Sequence, residues 1–270
     1  MTKNTDGRAV RVDSGNLFFK RGSTYADLAP ETIQAEAIAK IYTALDYDAV
    51  AVGADDLSAG IGFLRAAQEN GLNLVSANLY DEQQRVIFKP YQKRTVDSFE
   101  IAIVGITGPA GPEAPDYHIG DPIEALDRLM PKLKDDSDMI VLLSPLSVQE
   151  TTALVERFPA LRIAISADKT KANVSPVMAG NGLIVQTAGR GQYLGVLTIG
   201  YHGGPWRPAS TRAEQAKQAQ KQPAMPAAID DQFSTYRCDY LKMKQTGRSD
   251  AQIRSIIDQA KRKIREIAKK

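Results

Sequence analysis

A short apolar run lies between acidic residues at Tyr47-Asp48-Ala49-Val50-Ala51-Val52-Gly53-Ala54-Asp55-Asp56. Its β-branched and small apolar residues predict a buried strand over 49–53, and the glycine followed by two acids predicts the turn that ends it. A helical pattern follows at 57–70. A strand that leads directly into a helix is typical of an α/β domain with a largely buried sheet.

The same alternation continues over residues 9–200. Short apolar runs bounded by turn residues predict further strands at 9–13, 72–76, 100–107, 139–144, 162–166, 183–187 and 193–199. Helical patterns occupy 31–45, 122–134 and 148–157, with Asp121 as the cap of the second. Two apolar runs on either side of Asp97-Ser98 predict a hairpin within 86–107, so we expect mixed sheets.

Composition excludes several classes of protein. With 43% hydrophobic and 24% charged residues, the 270-residue chain is an ordinary globular one and not a disordered, collagenous or coiled-coil protein. One cysteine, Cys238, cannot form an internal disulfide or a thiolate metal cluster. Two histidines, His118 and His202, are too few for a cluster of imidazole-ligated metals.

No apolar run approaches the ~20 residues of a membrane span, and the polar start lacks a signal-peptide pattern.

The last quarter of the chain differs from the rest. A Gly/Pro cluster at 201–208 predicts a boundary between an α/β domain at 1–205 and a basic helical tail at 206–270. Residues 211–222 are predicted to be an exposed helix or a linker. Residues 249–267 begin with a capping pattern and carry apolar residues at helical spacing, so this amphipathic helix must bury one face. It docks on the parent domain, or it contacts a protein partner or a second copy. Its charges favour a solvated face over nucleic-acid binding.

Several segments resemble, in order, a known family. Residues 47–56 match G-Y-D-A-V-x-x-G-N-H-E-F-D, residues 74–80 match L-S-A-N-V, and residues 87–91 match I-F-K-P-Y. Residues 12–19, 103–107 and 185–195 match further motifs of the same set. The family is the metallophosphoesterase superfamily, and the closest resemblance is to the amino-terminal domain of bacterial 5′-nucleotidases and UDP-sugar hydrolases. The resemblance implies two packed mixed β-sheets flanked by helices, the calcineurin-like sandwich, with a helical tail added.

The resemblance also implies a metal centre whose ligands this chain has lost. In the family, a D-x-H strand, a bridging Asp, an Asn and three His hold two divalent metals, and a further His assists catalysis. The D-x-H strand would precede residue 1, so we expect the first strand to be missing. Asn16 stands at the bridging Asp, Ala54 at the ligand Asn and Asp55 at the catalytic His.

The two remaining ligand motifs are also replaced. Pro145 stands at the His of S-H-L-G, and residues 166–170, which include Asp168 and Lys169, stand at G-G-H-S-H. Two divalent cations about 3.5–4 Å apart need a bridging anion and several donors, which these residues do not supply. We therefore predict a non-catalytic protein of this fold, acting as a binding or structural module without a cofactor.

The alternative hypothesis is that the protein is an enzyme. Asn16, Asp55, Asp56 and Asp168 would lie in one pocket, and oxygen ligands suit a hard cation such as Mg²⁺ or Ca²⁺. Asn16, Asp55 and Asp168 would then hold one metal in a hydrolase of phosphate or sulfur esters. The other interpretation of the four side chains is that they anchor loops through hydrogen bonds. The resemblance implies a periplasmic or exported protein, although the chain shows no export signal.

Overall fold

A computed structural model describes residues 8–20, 25–109, 114–168, 175–187, 191–209, 232–243 and 250–268. Strands and helices alternate within these ranges. The strands are β1 (Val12–Asp13), β2 (Ala49–Ala51), β3 (Leu74–Val75), β4 (Leu79–Tyr80), β5 (Tyr91–Val96), β6 (Phe99–Gly105), β7 (His118–Ile119), β8 (Met139–Ser144), β9 (Leu161–Ser166), β10 (Val177–Ala179), β11 (Gly182–Gln186), β12 (Tyr193–Gly200), β13 (Trp206–Pro208) and β14 (Ser234–Lys242). The helices are α1 (Tyr25–Ala44), α2 (Ile61–Glu69), α3 (Pro122–Asp136), α4 (Val148–Arg157) and α5 (Ala251–Ile267), with a 3₁₀ helix at Ala54–Ala59. Within this part of the chain, every helix is too short or too polar to span a bilayer.

A six-stranded mixed sheet forms one layer, with the strand order β10-β11-β9-β8-β6-β5. Its inner strands β11, β9, β8 and β6 pair in parallel, and β10 and β5 pair antiparallel at the two edges. All six residues of β8 are buried, as expected for a parallel strand covered on both faces. The predicted hairpin around Asp97-Ser98 is confirmed as β5 and β6.

A second layer faces this sheet. It contains the parallel sheet β1-β2-β3 and the mixed sheet β12-β14-β13, while β4 and β7 form a separate short pair. Apolar side chains from both layers share one buried cluster, which includes Ala51, Val75, Ile103, Val141 and Val185. This cluster is the centre of the predicted sandwich, so packed mixed sheets flanked by helices are confirmed.

Helices cover the outer faces of the two layers. The helices α3 and α4 pack their apolar faces on the six-stranded sheet, where Leu126, Leu133 and Leu154 are buried. The helices α1 and α2 pack on the β1-β2-β3 sheet. In α1, the side chains of Ala35 and Ala39 are buried in this contact. Asp121 caps α3 by accepting a hydrogen bond from the Ile123 backbone N–H, as predicted.

Two predicted helices have different bounds in the structure. The first begins at Tyr25 and not after Pro30, which lies inside α1 although proline removes one backbone donor. The pattern at 57–70 is two elements, the 3₁₀ helix and α2, because Gly60 at φ +78° interrupts the chain between them. A positive φ is a conformation that glycine adopts readily and that a helix excludes.

The tail contains strands as well as the predicted helix. Residues 234–242 form β14, which pairs with β12 on one side and β13 on the other. The strand pairing therefore crosses the predicted boundary between residues 205 and 206. The final helix is confirmed as α5, begins after its cap Asp250, and contacts α1. The segment 211–222 lies outside the described residues.

Candidate functional site

The loops that follow β1 and β2 touch backbone to backbone. Gly15 adopts φ +89°, and a Cβ atom there would lie 2.7 Å from the Gly53 nitrogen. A Cβ atom at Gly53 would lie 2.3 Å from the backbone nitrogen of Asn16. Since real Cβ atoms do not approach this closely, both positions require glycine. Two loops about 40 residues apart in the chain are therefore in direct contact.

The carboxyl group of Asp56 lies between these loops and joins them. Its Oδ2 atom accepts hydrogen bonds from the backbone nitrogens of Asn16 and Gly53, both at 2.8 Å. Its Oδ1 atom accepts one from the Phe18 nitrogen at 2.8 Å. Asp56 is completely buried. Burial raises the pKa of its carboxyl group to about 7, against the lowering effect of the three N–H donors.

Asn16 and Asp55 add a second connection between the same loops. The backbone nitrogen of Asp55 donates to Asn16 Oδ1 at 3.0 Å. Asn16 adopts φ +56°, a left-handed conformation that asparagine tolerates better than most residues. Asp55 is 9% exposed, and its carbonyl oxygen accepts from the Ser58 hydroxyl. Three of the four predicted pocket residues, Asn16, Asp55 and Asp56, are therefore brought together.

Asp168 follows β9 and fixes other segments. Its Oδ2 atom accepts from the Val148 nitrogen at the start of α4, at 3.1 Å, and its carbonyl oxygen accepts from Gln186 Nε2 at the end of β11. The Ser14 hydroxyl donates to the Ile165 carbonyl at 2.7 Å, which brings the end of β1 beside the end of β9. Lys169 lies outside the described residues.

Two side chains that the sequence analysis did not single out connect neighbouring strand ends. Asn78 Oδ1 accepts from the Thr107 nitrogen at 2.7 Å, and Asn78 Nδ2 donates to the carbonyl oxygens of Thr107 and Gly120. The Thr107 hydroxyl donates to the Val52 carbonyl at 2.8 Å. Both residues are fully buried. Asparagine and threonine at the ends of predicted buried strands were the available signal, since a buried polar side chain needs partners.

Asp13 is a third residue of this region that was not a candidate from the sequence. Its carboxyl group accepts from the Gly15 nitrogen at 3.0 Å and from the Tyr42 hydroxyl at 3.0 Å. Burial raises the pKa of Asp13, and burial together with the nearby Asp13 raises that of Tyr42. Asp13 thus holds the turn that precedes Asn16.

At the positions that the resemblance assigns to metal ligands, the side chains do not supply the donors that a two-metal centre needs. Ala54 and Pro145 have no side-chain donor atom, and the oxygens of Asn16 Oδ1, the Asp56 carboxyl and Asp168 Oδ2 accept backbone N–H groups. Among the described residues, no three His, Cys, Asp or Glu side chains lie together as metal ligands would.

No protein-family profile and no curated protein sequence matches the chain. Solved structures match it. The sulfate thiohydrolase SoxB of Thermus thermophilus superposes with a TM-score of 0.70 at 15% identity, over 93% of this chain and 42% of that one. A 5′-nucleotidase precursor of Thermus thermophilus gives 0.70 at 19% identity, over 95% and 50%. The calcineurin-like phosphoesterase YfkN of Bacillus subtilis gives 0.65 at 16% identity, over 97% and 85%.

The chain spans half or less of the first two proteins, and identities this low show the fold alone. The resemblance read from the sequence predicted the same group of proteins from separate motifs. The chain therefore has the calcineurin-like metallophosphoesterase fold, as found in 5′-nucleotidases.

Proposed function

We propose that this protein is a non-catalytic form of the metallophosphoesterase fold that acts as a binding or structural module. The observation that carries the proposal is the use of the pocket side chains. Asp56 accepts backbone N–H groups of Asn16 and Phe18 in the opposite loop and of Gly53 in its own loop, and Asn16 accepts that of Asp55. Hydrolysis by a metal-activated water needs open ligand positions. These side chains anchor loops instead.

The chemistry of the replaced positions supports the same proposal. A divalent pair requires an anion between the two cations, and Asn16 is neutral at the position that the resemblance assigns to that anion. Ala54 and Pro145 supply no donor where the family has an Asn and a His. Activation of water and polarisation of a phosphoryl oxygen both depend on that centre.

The competing proposal is a hydrolase of phosphate or sulfur esters with one hard cation held by Asn16, Asp55 and Asp168. In this proposal Asp168 Oδ2 and Asn16 Oδ1, which accept the backbone N–H groups of Val148 and Asp55, would bind the cation as well. The side chain at 168 is the one whose replacement separates the two proposals.

The test combines metal binding with turnover. The chain is stripped with a chelator, and its binding of Mg²⁺, Mn²⁺ and Ca²⁺ is measured by calorimetry. Phosphodiesterase and 5′-nucleotidase activity are then assayed with Mn²⁺. We expect no stoichiometric binding and no turnover. Stoichiometric binding with turnover, both lost in Asp168→Ala but retained in the exposed control Asp135→Ala, would establish the competing proposal.

A binding role also needs a partner surface, and we propose the α5 segment at 249–267. No apolar residue of its face is fully buried against α1, and Ile267 is 41% exposed. Light scattering over a concentration series tests self-association. Ile267→Asp should abolish any dimer without lowering the melting temperature, whereas a dimer unaffected by this change would place the contact elsewhere.

A further inference from the structure

We infer that the Asp56 carboxyl group fastens the loop after β1 to the loop after β2 without help from a cation. The group of residues involved is called the Asp56 cluster and consists of Asn16, Phe18, Gly53, Asp55 and Asp56. The inference concerns the folded state and does not depend on whether the protein is catalytic.

Hydrogen bonds within the Asp56 cluster run in both directions. The Asp56 side chain accepts from the backbone of Asn16 and Phe18, and the Asn16 side chain accepts from the backbone of Asp55. Each loop therefore supplies acceptors for the other loop's amides. A buried amide without a partner is costly, so each acceptor is needed to keep the two loops in contact.

The close approach of the two glycines leaves no room for an ion between the backbones. The Gly53 α-carbon lies 3.1 Å from the position that a Gly15 Cβ atom would occupy, and Ala51 O lies 2.8 Å from it. A cation surrounded by oxygen ligands at about 2.0–2.6 Å needs more space than a Cβ atom does. At this contact the loops are therefore held by direct backbone packing and not by an ion between them.

The test measures hydrogen exchange of the amides of Asn16, Phe18, Gly53 and Asp55 by NMR. In the unmodified chain we expect the same slow exchange after chelator treatment and with millimolar Mn²⁺ or Mg²⁺. In Asp56→Asn, whose amide group cannot accept from both sides, exchange at 16, 18 and 53 should accelerate about tenfold or more. Amides in β8 should not change.

Two further variants keep the test decisive. Asp135→Asn, an exposed change on α3, should leave all four amides unchanged. Asn16→Gly permits the positive φ and removes the side-chain acceptor, so it should accelerate the Asp55 amide more than the amides of Phe18 and Gly53. If Asp56→Asn does not fold, the inference is tested by the Asp55 amide in Asn16→Gly and by the exchange rates of the unmodified chain with and without metal.

The inference is overturned if exchange in Asp56→Asn rises less than about threefold, a change too small for a lost buried acceptor. It is also overturned if the Asp55 amide is unaffected in Asn16→Gly, or if the unmodified chain gains protection only with a cation. Turnover with Mn²⁺ would overturn the proposed function instead. Even with such turnover, this inference would hold if the four amides exchange equally with and without metal.

Discussion

The Asp56 cluster and the β12-β14-β13 sheet both hold distant parts of the chain together, by different means. In the Asp56 cluster, a buried carboxyl group accepts three backbone N–H groups. At the β12-β14-β13 sheet, Trp206 is 3% exposed in the core between the layers. The Arg162 guanidinium lies over its ring at 5.7 Å. The first contact depends on donor–acceptor geometry and the second on buried area, so they should respond differently to substitution and pH.

The largest effect is expected at the apolar contact. Trp206→Ala removes a buried indole and its N–H bond to the Arg162 carbonyl, and should cost about 3–5 kcal/mol of unfolding free energy. Trp206→Phe keeps much of the area and should cost markedly less. Denaturant unfolding measures both. An alanine variant as stable as the unmodified chain would show that this sheet is not fastened through Trp206.

A smaller loss is expected at the polar contact. Asp56→Asn keeps the volume but turns an amide N–H₂ towards at least one backbone donor, which should cost about 2–3 kcal/mol. The surface change Asp135→Asn should stay within about 0.5 kcal/mol of the unmodified chain. If the two variants unfold at the same denaturant concentration, the three N–H contacts do not stabilise the fold.

The two contacts should also differ in pH dependence. Burial raises the pKa of Asp56 from the ordinary 3.8 of an aspartate to about 7, so between these values the folded state keeps a proton that the unfolded chain releases. The contribution of Asp56 is therefore fully present below about pH 4 and is lost as the pH rises through about 7. We expect a decrease of about 2 kcal/mol between pH 5 and 7.

Asp56→Asn is the matched control for that pH series. Its unfolding free energy should fall less over the same range, because asparagine does not titrate, while Asp13 contributes in both proteins. The Trp206→Phe variant should keep the full pH dependence. Equal slopes in all three proteins would assign the titration to another group.

The smallest effect is expected at Asp168. Its carboxyl group accepts from the first helical N–H of α4, and removal of such a contact costs about 1 kcal/mol. Asp168→Asn retains an acceptor and should cost less than Asp168→Ala. A loss of several kcal/mol of unfolding free energy in Asp168→Ala would indicate that Asp168 stabilises the fold at least as much as Asp56 does.

The sequence predicted much of the body because its signals are local. β8 and α4 have the predicted bounds, since a six-residue apolar run and a capped amphipathic pattern each contain their own limits. β14 was missed although Tyr236, Cys238 and Tyr240 alternate with polar residues at the period of a strand. Its basic surroundings and the nearby helix outweighed that alternation, and its partner β12 lies about 40 residues earlier in the chain.

The candidate site was predicted in part. The sequence and its resemblance selected Asn16, Asp55 and Asp56, which the structure brings together, and left open whether they bind a cation or anchor loops. It did not select Asp13, Asn78 or Thr107. Their importance comes from which backbone groups they reach across the fold, such as the Val52 carbonyl for Thr107, and no local pattern encodes such a partner.

The sequence by itself determined the α/β alternation, because residue type and short-range spacing fix it, and its resemblance predicted that Asn16, Ala54 and Pro145 replace metal ligands. Only the tertiary structure decided where the carboxyl oxygens point. Asp56 could have faced a cation or the backbone, and it faces three amides because the folded loops place their unpaired N–H groups around it. A buried donor must find an acceptor, and that requirement exists only once the loops have met.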